Sequence, residues 1–89
     1  MGPRDLLAWN VKKLRIARGL SQEHLALEAG LERAAISNIE RKKVSIGLDL
    51  LGQIAGTLNV PVQDLFIEPI PGELAPVNLK RGRRVSKAK

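Results

Sequence analysis

The stretch from Gln22 to Arg41 constrains this chain more tightly than any other part of its 89 residues. Two short runs of helical spacing meet there at a tight turn over Gly30 and Leu31. Helices that cross so soon after one another bring their backbones close, and a small side chain is needed at the crossing; Ala26 supplies it. The turn needs a residue tolerant of positive φ, and Gly30 supplies that. Leu25, Ala29, Leu31, Ile36 and Ile39 stand where the two inner faces need apolar residues. One glycine between two helices says little. This many coincident requirements within twenty residues say a great deal.

The flanking sequence reads as helical too, because no stretch alternates with period two for long. A first helix is predicted from about Arg4 to Arg18, with Leu7, Val11, Leu14 and the stem of Arg18 along one stripe and Gly19 as its left-handed stop. Ser21 caps a second helix that runs to Ala29, and a third spans Glu32 to about Arg41. Lys42 to Ile46 form a basic loop. Gly47 then caps a fourth helix to Leu58, whose predicted buried stripe is Leu48, Leu51, Ile54, Ala55 and Leu58. Asn59 and Val60 turn the chain, and Pro61 opens a short fifth helix ending near Phe66. Pro69, Pro71, Gly72 and Pro76 oppose any further helix. The expected organisation is an all-α domain over residues 4–67 and a flexible tail over 68–89, although Ile67, Ile70 and Leu74 are able to dock.

Charge and composition limit the function classes. The net charge of +6 resides in Lys80, Arg81, Arg83, Arg84, Lys87 and Lys89; the remaining nine basic residues are balanced by nine acids. A basic end of this kind either binds nucleic acid without sequence preference or is simply solvated, so it decides nothing about the domain. The chain has no cysteine and one histidine, His24, which excludes a thiolate or multi-histidine metal cage. No cofactor is expected. There is no phosphate-cradling glycine motif and no nucleophile–base pair at useful spacing, so an enzyme is not expected either. The apolar runs are far shorter than a membrane span and the start lacks a signal pattern, which makes the cytoplasm the expected location.

Specific stretches give a family resemblance. They are Val11-Lys12-Lys13-Leu14-Arg15, then Gly19-Leu20-Ser21-Gln22-Glu23-His24-Leu25-Ala26, then Ile36-Ser37-Asn38-Ile39-Glu40-Arg41, followed by Ile54-Ala55 to Leu58 and Val60 to Phe66. Over Asn10 to Phe66 the chain resembles the Cro/repressor-type helix-turn-helix family, and within it the controller proteins of restriction-modification systems and small phage-like repressors. The resemblance implies a compact five-helix repressor-like DNA-binding domain that binds a near-palindromic double-stranded operator as a homodimer and regulates transcription. It implies that Gln22 clamps a backbone phosphate, where a helix N-terminus favours the anion. Arg33, Ala34, Ser37 and Asn38 would face the bases; their spacing of i, i+1, i+4 and i+5 puts them on one helix face. Arg33 suits guanine, Asn38 adenine and Ala34 a thymine methyl. Arg41, Lys42 and Lys43 would meet phosphates, and Arg15 with Glu40 would form an ion pair between the first and third helices.

The chain also departs from the family pattern. Glu32 stands where a Ser, Thr or Asp cap is usual, and an acid there either repels phosphate or accepts from a cytosine amine. Gly47 replaces a Ser cap, and Leu50 is apolar where a polar residue is usual. Leu50, Val62, Leu65 and Phe66 are therefore the expected dimer interface, since a small domain can bury only some of them within itself. Trp9 has two readings, core or subunit contact. A second function class also stands: an antitoxin or adaptor of the same fold that binds a co-encoded protein through the segment from Phe66 to Ile70 and the tail.

Overall fold

The computed structural model describes residues 1–43 and 45–77. It is all-α: α1 spans Pro3–Ala17, α2 Gln22–Ala29, α3 Arg33–Glu40 and α4 Leu48–Leu58, and a 3-10 helix covers Val62–Phe66. That last element is the short fifth helix expected after Pro61. Its five residues, entered from the extended Pro61, are too few for more than the tighter i to i+3 turn.

Helix starts follow the capping chemistry only in part. The Asp5 carboxylate accepts from the Gly2 amide at 3.1 Å, and Pro3 occupies the first helical position, where no amide is needed. The Ser21 hydroxyl accepts from the His24 amide at 3.0 Å. By contrast, Glu32 and Gly47 are extended residues that cap α3 and α4 with no side-chain bond.

The helix ends are uniform. All four α-helices finish on a residue in the left-handed region: Gly19 at φ 73°, Gly30 at 74°, Lys42 at 61° and Asn59 at 61°. In each case the next amide reaches back to a carbonyl five residues earlier: Leu20 to Arg15 at 2.9 Å, Leu31 to Ala26 at 2.8 Å, Lys43 to Asn38 at 2.9 Å and Val60 to Ala55 at 3.0 Å. These are Schellman closures, which satisfy carbonyls that a helix end otherwise leaves bare.

One core holds the elements together. Leu7 and Val11 of α1, Leu25 and Ala26 of α2, Ile36 and Ile39 of α3, and Leu51, Ile54, Ala55 and Leu58 of α4 meet around Leu65. Leu14, Leu20, Leu31, Ile46, Val60 and Phe66 pack against that cluster from outside. Truncating a fully buried member such as Leu25 or Ile54 to Ala carries a cost of about 2–5 kcal/mol. Two expectations need correction. Leu48 is 80% exposed: as the first residue of α4 it lies a turn beyond the last core layer, so the buried stripe begins at Leu51. Arg18 does not lay its stem in the core; it is exposed, and its guanidinium donates to the Leu58 carbonyl at 3.3 Å.

After the 3-10 helix the chain runs back along α1 without forming another helix. The Asn10 side-chain amide donates to the Leu6 and Ile67 carbonyls, both at 2.9 Å. The Glu73 carboxylate pairs with Lys13 and also accepts from the Ile70 amide. Ala75 and Pro76 then border a shallow depression shared with Met1, Asp5, Trp9, Lys12, Glu40 and Lys42. The basic stretch from Lys80 to Lys89 lies outside the described residues. No helix among those described is long and apolar enough to cross a membrane.

Candidate nucleic-acid interface

The crossing of α2 and α3 presents one side of α3 to solvent. Ile36 and Ile39 face inward, so Arg33, Ala34 and Asn38 stand exposed and Ser37 is half-buried. The Arg41 guanidinium donates to the Ser37 hydroxyl at 3.4 Å, folding back along the face it borders. Arg41, Lys42 and Lys43 are exposed together at the end of α3. Glu32 is exposed beside Arg33, so an acid stands at the opposite end of the same face.

Lys42 is held from α1. Its ammonium lies 3.3 Å from Asp5, whose carboxyl is kept below the ordinary aspartate range first by the Gly2 amide and then by Lys42. Both side chains are well exposed, which makes the link a restraint on position more than a source of stability.

Beneath this face lies a buried polar cluster. The Arg15 Nε donates to Glu40 Oε2 at 2.7 Å and its Nη2 to Oε1 at 3.0 Å, a two-point contact. The two side chains keep only 2% and 5% of their surface. The Arg15 Nη1 donates to the Leu20 carbonyl at 3.0 Å, and the Gln22 side-chain amide donates to Glu40 Oε1 at 3.2 Å. Charges removed from water need this degree of satisfaction to be tolerated. One carboxylate at the end of α3 thus joins α1 to the start of α2, and Arg15 extends the tie to the α1–α2 turn.

The structure separates the remaining site residues. Gln22 is half-buried at the start of α2, with its side chain turned toward Glu40. Leu65, expected at a subunit interface, is 0% exposed and central to the core, so it has no surface to offer a second copy. Phe66 is half-buried against that core, Leu50 is half-buried and Val62 is exposed. Trp9 is half-buried, with its indole nitrogen enclosed and unpartnered. The His24 ring meets the Ser21 hydroxyl at 3.0 Å. Two residues that matter escaped the sequence reading. Gln53 of α4 donates to the Ala29 carbonyl at 3.0 Å and so closes the end of α2. Asn10 anchors the chain beyond the 3-10 helix. Both bonds join residues far apart in sequence, and no local pattern signals them.

Residues 11–65 match the family model described as helix-turn-helix. A hypothetical transcription factor of Neisseria meningitidis is 38% identical over 66 residues, which cover 74% of this chain and 62% of that protein. This chain therefore spans less than two thirds of that relative. The control protein C.SmaI of Serratia marcescens is 40% identical over 66 residues, covering 74% of this chain and 79% of that one. Among solved structures, the restriction-modification controller protein C.AhdI of Aeromonas hydrophila superposes with a TM-score of 0.68 at 32% identity, covering 71% of this chain and 96% of that one.

Proposed function

The chain belongs to the helix-turn-helix family, and from that premise we propose that it is a sequence-specific double-stranded DNA-binding regulator of transcription. The observation that carries this reading is the solvent face of α3. A guanidinium, a methyl and a carboxamide stand free at Arg33, Ala34 and Asn38, and three cations close the far end. Such a helix fits the major groove, where Arg33 reads guanine through O6 and N7, Asn38 reads adenine, and Ser37 and Ala34 complete the contact. Gln22, Arg41, Lys42 and Lys43 bind phosphates and set the register. The DNA-binding unit is residues 4–67, with 68–89 as its appendage.

The regulator acts as a homodimer on a near-palindromic operator in this proposal. Leu50, Val62 and Phe66, joined by Leu48, furnish the isologous contact. Two α3 helices then enter successive major grooves about 34 Å apart. A second reading, binding of a co-encoded protein, draws on the apolar residues Ile70, Leu74 and Val77, all strongly exposed on the segment beyond the 3-10 helix.

Selection of bound duplexes from a random library, followed by titration of variants, tests the DNA reading. Arg33→Ala is expected to cost about 1–3 kcal/mol on the selected site and to relax preference at one base step. Lys43→Ala is expected to weaken binding to every sequence and to flatten the salt dependence by about one unit. Equal loss on selected and random duplexes for Arg33→Ala would remove base reading from this face.

A further inference from the structure

We propose that Glu40 is a positioning residue for DNA binding, which it serves by holding the Gln22 carboxamide in a fixed direction; this rests on the DNA-binding reading above. The argument starts from how the carboxylate is shared. A carboxylate offers about four acceptor positions. Arg15 takes two of them through Nε and Nη2, at 2.7 and 3.0 Å. Gln22 Nε2 takes a third, at 3.2 Å on Oε1. Arg15 alone gives the buried charge a two-point partner, so the Gln22 bond adds something beyond charge balance.

What it adds is direction. A glutamine side chain at the first position of a helix is normally free to sample its rotamers, and ordering it on binding opposes affinity. Here a hydrogen bond to an ionised, almost fully buried acceptor orders it in the free protein. The carboxamide is planar and carries two N–H groups. With one committed to Glu40, the other has its direction set, and it is the donor left for a phosphate.

The anchor is also well placed. Glu40 is the last residue of α3 and Arg33 the first, so the helix that presents the base-facing side chains also carries the carboxylate that aims Gln22. Arg15, held in turn by the Leu20 carbonyl, keeps that carboxylate from turning. A phosphate contact made from α2 is therefore registered against α3 itself. Base contacts and backbone contact then form a single geometry, as discrimination between sites requires.

A double-mutant cycle with Gln22→Ala and Glu40→Gln, titrated against a random-sequence duplex below the melting temperature of every variant, tests this. Gln22→Ala is expected to weaken binding about tenfold with an unchanged salt slope, because a neutral donor displaces no counterion. Glu40→Gln is expected to weaken the parent protein by at least as much, yet to weaken the Gln22→Ala background by no more than about twofold, a coupling of about 1 kcal/mol. A purely structural Glu40 would lower both backgrounds by the same factor, and that result overturns the proposal. If Glu40→Gln does not fold, the side-chain amide of Gln22 in the parent protein decides by NMR. Exchange protection relative to the exposed Gln63 supports the proposal, and solvent-like exchange overturns it. Failure of the parent to bind any duplex would remove the DNA-binding reading as well. An additive cycle, with Arg33→Ala still selective, would remove the role of Glu40 alone.

Discussion

Glu40 carries more consequence for stability than any other exposed-looking acid in the sequence. Removing it as Glu40→Ala takes the two-point carboxylate partner from an Arg15 side chain that keeps only 2% of its surface. A buried pair broken on one side costs about 3–5 kcal/mol, whereas Glu23→Ala, an exposed first-turn change, stays within about 0.5 kcal/mol. Urea melts of the two variants are expected to differ accordingly, and equal midpoints would show that Arg15 finds other compensation. At this scale the sequence was readable where partners lie at family-matched positions, as with Arg15 and Glu40, or three residues apart, as with Ser21 and the His24 amide. It was silent about Gln53 and Asn10, because an amide side chain does not announce which distant carbonyl it closes.

Among the elements, α3 is the least well specified by local chemistry. It starts on Glu32 without a side-chain cap and ends on Lys42 at φ 61°, a region that disfavours residues with a Cβ. The other three stops, Gly19, Gly30 and Asn59, were legible because glycine and asparagine advertise left-handed turns; a lysine advertises none. Lys42→Gly is expected to raise stability by about 0.5–1 kcal/mol in chemical denaturation while weakening DNA binding by one phosphate contact. Loss of stability would mean that the Asp5 link outweighs the backbone strain. The segment beyond the 3-10 helix is expected to respond to pH instead. Lys13 is the main influence holding the Glu73 carboxyl below the ordinary glutamate range, aided by the Ile70 amide. A carboxyl depressed by docking favours the docked form above its usual range and ceases to do so as pH falls through the lowered value. The Ile70 amide is therefore expected to be protected from exchange at neutral pH and to lose that protection as pH falls through the lowered Glu73 value. Protection that persists once Glu73 is protonated would show that Asn10 and the prolines suffice.

At the level of the molecule, the unresolved demand on the surface is apolar. Leu48 is bare, Leu50 and Phe66 are half-covered, and Val62 is exposed, while Leu65 has withdrawn into the core. Leu50→Glu is expected to shift sedimentation toward monomer and to abolish operator binding while leaving the helical signal intact, because the substituted carboxylates would meet their counterparts near the dyad. An unchanged dimer would move the contact to Trp9 or to the segment from Ile67 to Leu74. The helical class and the crossing of α2 and α3 were legible in the spacing of residues 22–41, since each requirement there is local. Which apolar residues remain outside was not, because Leu48 and Leu65 are chemically alike and only the finished packing tells them apart. That packing also places Met1, Ala75 and Pro76 on the rim of one depression against α1. Residues more than seventy positions apart in the described sequence therefore line one hollow, a tie that no local pattern signals.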